Sequence, residues 1–370
     1  MFLRGLVSSS VAAVALTAAL ALSGAAAPAA RSALPEGDWK PVGGAQRVYS
    51  PGGPEQYSYA PSAITDSGHT YYFTCHNATS AVIRDHVFFS QVDSAGATPQ
   101  RDHFVLAPGA QGSWDATHIC DPTVVAADVR YRQNTYHYVM FYLGTDRDNT
   151  RNRIGLAVAN DLAGPWVKYP EPIVDTPFDD ERAWGVGQPS ATTIDPRRGE
   201  VLLFYSQGGP SETSAWRRHL KLSDLDRPTV GPAVRVSNEG IRGFDGTPDV
   251  LHNFDIAYDP PLDRFYTIRE QGPYPPDAPN YISSQLEIVS IDGASIWNGG
   301  GTWKVEGRIT PASTGFPRNH NPGILRNIYG MLPESGLLTA VFTKSRAGDF
   351  PDSLWSYDLW QVTGTLQQRD

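Results

Sequence analysis

Three carboxylates stand out among the residues able to do acid–base work: Asp121, Asp255 and Glu270. Asp121 opens the run Asp121-Pro122-Thr123-Val124-Val125, and Glu270 follows Arg269 at the end of an apolar stretch. Asp255 takes a place that is Ser62, Thr123, Ser190 or Gly323 in related segments. A carboxyl that keeps its proton serves as a general acid, and a second, ionised one as base or nucleophile. Burial and neighbouring charge must separate their pKa values for this division to hold. Around the acids the chain offers a binding set: Trp114, Asp115, His118, Asp146, Arg147, Trp184, Gln188, His252, Asn253, Arg269, His320 and Asn321. There is no zinc spacing or His-Glu-x-x-His pattern, and Gly299-Gly300-Gly301 lacks the strand and helix of a phosphate loop.

What positions these residues is a repeat. A polar residue, usually Pro, a small residue and apolar residues recur at Ala60-Pro61-Ser62, Asp121-Pro122-Thr123 and Gln188-Pro189-Ser190, and less closely at Asn253-Phe254-Asp255 and Asn321-Pro322-Gly323. The second positions are spaced by 61, 67, 65 and 68 residues, so five units cover nearly the whole chain. In each unit a second apolar or aromatic strand follows, such as Tyr136–Leu143 or Val201–Tyr205, then a third, such as His86–Val92 or Leu354–Val362. Several units add a short fourth strand, as at Trp166-Val167-Lys168. Four antiparallel strands repeated five times predict an all-β, five-bladed β-propeller over residues 35–365; two open sandwiches are the alternative. Trp39-Lys40-Pro41-Val42 resembles Trp303-Lys304-Val305, so the N-terminal strand is expected to complete the last blade and close the ring. In that topology first-strand starts and second-strand ends share one mouth, where most of the polar residues named above fall.

Composition agrees with many short elements joined by turns: 35 Gly, 30 Pro and only 19% charged residues rule out a coiled coil or helical bundle. The net charge of −9 and the lack of a basic cluster exclude nucleic acid as a partner. Arg4, an apolar run from Leu6 to Leu22 and small residues to Ala30 read as a secretory signal, cleaved after Ala29, with an uncleaved anchor as the rival reading. Residues 1–29 would then be lost on export, leaving a secreted protein with no membrane attachment. Cys75 and Cys120 are the only cysteines, which in an exported chain predicts a disulfide rather than two free thiols. It would close a loop of about 45 residues, a stabilisation of roughly 3–4 kcal/mol in the chain-entropy picture.

Cys120-Asp121-Pro122-Thr123-Val124, Tyr138–Gly144 and Ile154–Ala159 followed by Asn160-Asp161-Leu162-Ala163-Gly164-Pro165-Trp166 form a connected series. It resembles the five-bladed β-propeller glycosidases: arabinanases, β-xylosidases and arabinofuranosidases, with invertases and levansucrases as distant relatives. The resemblance implies three acids on successive blades, yet only Asp121 matches; Ala60, Gln188 and Asn253 stand at the other places. It also implies a carbohydrate polymer or oligosaccharide as partner, onto whose ring faces Trp114 and Trp184 would stack. No cofactor is expected beyond a structural calcium, as in some relatives, with His252 or His320 holding one of its waters. The leading expectation is a secreted glycoside hydrolase for a pentose- or fructose-containing glycan. Its rivals are a non-catalytic carbohydrate-binding propeller that has lost the standard acids, and a lyase using His and Arg. No pattern speaks to the oligomeric state.

Overall fold

Aromatic and β-branched runs bounded by Gly, Pro, Asn and Asp become strands throughout. The protein is represented by a computed structural model that describes residues 37–93, 101–147 and 149–366. The expected signal, 1–29, lies outside these residues, as do positions 35 and 36 of the expected domain.

Two short strands come first, β1 (Trp39–Pro41) and β2 (Gln46–Tyr49). Repeat one is β3 (Ser58–Asp66), β4 (His69–Asn77), β5 (Asp85–Asp93) and β6 (Arg101–Leu106). Repeat two is β7 (His118–Tyr131), β8 (Asn134–Thr145), β9 (Arg153–Ala159) and β10 (Val167–Lys168). Repeat three is β11 (Gly185–Asp195), β12 (Glu200–Gly208) and β13 (Thr213–Lys221), with β14 (Thr229–Val230) and β15 (Val234–Arg235) both pairing with β13. Repeat four is β16 (Phe254–Asp259), β17 (Arg264–Gln271), β18 (Gln285–Asp292) and β19 (Lys304–Ile309). Repeat five is β20 (Arg318–Arg326), β21 (Leu337–Ser345) and β22 (Asp358–Leu366). Each repeat is an antiparallel meander. β1 pairs antiparallel with β22 from Trp39 opposite Leu366, and β20 meets β3 in a short parallel pairing, so repeats five and one share a nine-stranded sheet.

Some expected boundaries move. The third strand of repeat three runs from Thr213 to Lys221 and carries Trp216 within it. Leu354–Ser356 forms a 3-10 turn, so the third strand of repeat five starts at Asp358 rather than Leu354.

The core lies between the sheets, and the period of two along each strand divides side chains between two neighbours. In β8, Met140 and Tyr142 pack toward repeat one, while Val139 and Phe141 pack toward repeat three. In β12, Leu203 and Tyr205 face repeat two, while Leu202 and Phe204 face repeat four. Trp39 joins Ile268, Leu286, Ala340 and Phe342 between repeats four and five. Val341 and Leu359 meet Ala63 and Tyr72 between repeats five and one. Burial on both faces explains why the strands read as continuous apolar runs.

Where the first strands converge, Arg326 of β20 is fully buried. Its guanidinium donates to Thr123 Oγ1 (2.9 Å), Ser190 Oγ (3.1 Å) and the carbonyls of Ala191 and Ile256, and lies 3.2 Å from Oδ1 of Asp255. Asp255 also accepts from Ser190 Oγ (2.6 Å) and the backbone N–H groups of Ile256 and Ile324. Beyond Arg326 the chain turns beneath these strands, with carbonyls of Ile328, Tyr329 and Gly330 accepting from Ala126, Thr193 and Tyr258. One residue of repeat five therefore ties together repeats two, three and four. Removing one member of a buried ion pair strands the other charge, at roughly 3–5 kcal/mol. Arg326→Met is expected to lose stability of that order in urea denaturation. Asp255→Asn should destabilise less in the Arg326→Met background than alone; equal losses would mean the two side chains act independently.

Candidate active site

Five first strands carry a left-handed residue at or beside the mouth end: Ala60 (φ 50°), Asp121 (46°), Gln188 (50°), Asn253 (45°) and Asn321 (40°). These are the first positions of the sequence repeat, polar in every unit but the first. In β3, β7, β11 and β20 the pairing with the second strand slips at this point, between Tyr59 and Ser62, Cys120 and Thr123, Gly187 and Ser190, and His320 and Gly323. The slip is a β-bulge, which re-aims a side chain out of the sheet. Asn and Asp tolerate positive φ better than other residues with a Cβ, which accounts in part for the polar choice.

The bulged residues are linked in sequence around the mouth. The Gln188 N–H donates to the Asp121 carboxyl. The Asn253 N–H donates to Gln188 Oε1 at 2.8 Å. Asn321 Nδ2 donates to Asn253 Oδ1 at 3.1 Å. Ala60 has no side chain to offer the Asp121 N–H, which instead meets Cys75 Sγ at 3.0 Å. Cys75 and Cys120 form the expected disulfide, with Cα atoms 5.0 Å apart, tying repeat one to repeat two at that gap.

Above this floor opens a cavity of about 480 Å³. Its wall includes Asp85, His118, Asp121, Asn152, Trp184, Gln188, His252, Asn253, Tyr274 and Asn321, with Tyr57, Tyr59, Tyr357 and Leu354 completing one side. Tyr281 (51% exposed), Phe350 (57%) and Ile83 form an apolar rim. Asn152 is fully buried, donates through Nδ2 to the Trp184 carbonyl at 2.8 Å, and leaves Oδ1 without a partner at the wall.

Two carboxyls reach this cavity. Asp121 is half-buried and lines the cavity. Burial first, then the charge of Asp85, push its pKa up to about 7; the Gln188 N–H opposes the shift and the Glu270 charge adds to it. Asp85 accepts from Tyr57 OH at 2.5 Å and Tyr59 OH at 2.9 Å. Its backbone N–H donates to Nδ1 of His118 at 3.2 Å, leaving the proton of a neutral His118 on Nε2. Asp85 and its tyrosines were absent from the sequence candidates, which were drawn from first-strand starts and second-strand ends. A third strand runs parallel to the first, so its start also reaches the mouth: Asp85 stands directly opposite Asn77, the last residue of β4.

The remaining candidates divide. His118, Trp184, Gln188, His252, Asn253 and Asn321 lie on the wall. Glu270 sits behind it, fully buried, accepting from Asn253 Nδ2, the Asn321 and Ser283 N–H groups and Tyr274 OH. Burial raises its pKa against the charge of His252 and the Asn321, Tyr274 and Ser283 donors. Asp255 lines only a second cavity of about 30 Å³ between the floor and Arg326, room for a water molecule. Arg269 is fully buried between Asp249 and Glu287, both at 2.7 Å. Trp114 stacks on Tyr142 with ring centroids 5.9 Å apart, and a Cβ on Gly144 would come within 2.6 Å of its ring. Asp115 is buried against Lys168 (2.6 Å), Ser113 and Tyr142. Arg147 pairs with Glu181 at 2.7 Å and lies 3.8 Å from Asp146, outside the wall. His320 is buried below Asn321, edge-on to Tyr357, with its pKa lowered to about 3 by burial.

The two histidines expected beside a calcium differ: Nε2 of His320 is buried without a hydrogen-bond partner, whereas the ring of His252 is engaged on both sides, by Val250 and Tyr274. Among the described residues the one close cluster of ligand-type groups is Cys75, Cys120 and Asp121, and its sulfurs are joined in the disulfide.

No protein-family model and no curated protein matches the chain. Solved structures do. A family 117 glycoside hydrolase from the marine bacterium Zobellia galactanivorans superposes with a TM-score of 0.55 at 11% identity, covering 90% of this chain and 91% of that one. The α-L-arabinofuranosidase PaAbf62A from Podospora anserina, in complex with cellotriose, gives 0.55 at 11% identity, covering 90% and 99%. The GH43_1 enzyme from Xanthomonas citri, complexed with xylotriose, gives 0.53 at 13%, covering 86% and 89%. The fold is thus similar to that of the five-bladed propeller glycosidases; identities this low carry no residue assignments.

The Asp121 shift fixes a sign. Its folded pKa of about 7 lies above the ordinary 3.8, so the folded state holds a proton that the unfolded chain releases. Stability conferred by the protonated form is present below pH 4 and is lost as pH rises from 4 through 7. Asp121→Asn, which does not titrate, is therefore expected to melt a few degrees above wild type at pH 8, with the difference closing toward pH 4. Thermal melts at pH 4, 6 and 8 check this; a variant that is less stable at every pH contradicts it.

Proposed function

We propose that the chain is a secreted glycoside hydrolase acting on a pentose- or fructose-containing glycan, with Asp121 as proton donor and Asp85 as the ionised carboxylate. The observation that carries this reading is the pair itself: two carboxyls at one cavity, one holding its proton near neutrality in part because the other is charged. Asp121 would give its proton to the glycosidic oxygen as the C–O bond opens, and Asp85 would face the positive charge developing at the anomeric carbon. Aromatic and aliphatic groups suit sugar C–H faces, with Trp184, Tyr281 and Phe350 as platforms. Among the described residues no Lys or Arg lines the cavity, which favours an uncharged sugar and speaks against a lyase that neutralises a uronate with Arg.

The reading places this site on a five-bladed ring closed by β1. Its support is the pairing of β1 with β22 and an apolar cluster between each successive pair of repeats. Export with loss of residues 1–29 accords with the disulfide, which persists in oxidising compartments. A binding protein without catalysis was suggested by Gln188 and Asn253, but both are links in the floor and need not be lost acids.

Screening arabinan, xylan and fructan panels, together with aryl glycosides, tests the proposal. On a glycan, Asp121→Asn is expected to lose roughly 10²–10⁴-fold in kcat/KM, and much less on an aryl glycoside whose leaving group needs no proton. Asp85→Asn should lose activity on both. Turnover by Asp121→Asn equal to wild type on the glycan removes Asp121 from the mechanism. Saturable binding with no turnover by the wild type replaces the hydrolase with a lectin.

A further inference from the structure

Tyr274 has one hydroxyl proton and two partners. Its oxygen lies 2.8 Å from Oε2 of Glu270 and makes a close contact with Nε2 of His252. Nδ1 of His252 faces the Val250 carbonyl at 3.4 Å, which can only accept, so Nδ1 keeps its hydrogen. Two proton arrangements then satisfy the same heavy atoms. In one, Glu270 is ionised, Tyr274 donates to it, and a charged His252 donates Nε2–H to the phenol oxygen. In the other, Glu270 is protonated and donates to Tyr274, which donates to the lone pair on Nε2 of a neutral His252. Passing from the second to the first breaks the carboxyl O–H and the old phenol O–H. It forms a new phenol O–H and an Nε2–H bond, so protons balance with no outside reactant.

The surroundings suit this exchange. Oε1 of Glu270 is held by Asn253 and Asn321, whereas Oε2, the oxygen facing Tyr274, has only a long backbone contact from Ser283 at 3.3 Å. Glu270 is sealed from the cavity, while Tyr274 and His252 lie on its wall. We propose that Glu270, Tyr274 and His252 form a proton relay in which a carboxyl behind the cavity sets the charge of the imidazole at its wall. In the hydrolase, on whose reading this role rests, His252 meets the bound sugar as a rechargeable cation on the wall of the cavity that Asp121 also lines. Tyr274 and Glu270 are positioning residues behind it. The other charged and titratable groups bearing on the relay are Asp249 and Arg269, which pair with each other beside Tyr274, and Asp121 and Tyr357, which feel Glu270.

The test reads His252 directly. Histidine is labelled with ¹⁵N in the full-length protein, its ring signals are assigned by their loss in His252→Asn, and their titration is followed by NMR. Glu270→Gln removes the charge that favours the imidazolium, so the His252 midpoint should fall by roughly one unit. Tyr274→Phe breaks the relay with Glu270 left in place, and should also move the midpoint. A midpoint unchanged in Tyr274→Phe overturns the relay, whether or not Glu270→Gln folds. Kinetically, Tyr274→Phe is expected to lower kcat about tenfold and alter the pH profile, with KM near wild type. A midpoint shift without glycan turnover by the wild type upholds the relay and sinks the hydrolase. Turnover with no midpoint shift does the reverse.

Discussion

A strand that bends into a left-handed residue turns one backbone N–H out of the ladder, and a buried N–H without an acceptor is costly. Five such residues converge at the mouth, and the N–H groups of four of them find partners in one small space. The solution visible here is serial: the Asp121 carboxyl takes the Gln188 N–H, and Gln188 takes the Asn253 N–H. Glu270 takes the Asn321 N–H from behind, while Asn321 and Asn253 join through their side chains. Ala60 cannot take part through a side chain, and there the disulfide supplies Cys75 Sγ to Asp121. The floor of the cavity is thus a hydrogen-bonding requirement of the bulges first, and a binding surface second.

Beneath the floor the same crowding of first strands is resolved with charge. Repeat five supplies Arg326 and repeat four supplies Asp255, and the hydroxyls of Thr123 and Ser190 complete the set. Asp255 occupies a small-residue position because one carboxylate must answer one guanidinium at the axis. The oddity that made it look catalytic in the sequence is therefore explained by stability.

The repeat, the strand order within it, the pairing of β1 with β22 and the disulfide were all legible in the sequence. Each leaves a local signature: spacing, apolar runs, a duplicated Trp-Lys motif, and two cysteines. The site was legible only as a set of positions. Asp121, Gln188, Asn253 and Asn321 could be found because the bulge selects polar residues, but the pattern does not distinguish a link in the floor from an acid. Trp114, Asp115 and Arg269 were polar or aromatic at the expected end of their strands, yet side-chain direction sends them into buried contacts with Tyr142, Lys168 and Glu287. Asp85 was missed for a topological reason, since third strands also begin at the mouth. Its two tyrosine partners, Tyr57 and Tyr59, lie at the start of another strand, a pairing that no spacing within β5 encodes.

The distribution of acids and amides then follows from electrostatics. Carboxylates at all the bulges would face one another across a narrow floor, each raising the pKa of the rest. Amides at Gln188, Asn253 and Asn321 provide the acceptors that the neighbouring N–H or side-chain donors need, without adding charge. That leaves Asp121 as the acid of the floor, with its proton affinity set by burial, by Asp85 on one side and by Glu270 on the other. A floor of five acids would make that affinity a collective property, sensitive to every neighbour. With one acid and three amides it is governed by burial first, and then by two identified charges. The departures from the three-acid pattern are, on this argument, what let a single carboxyl titrate near neutrality.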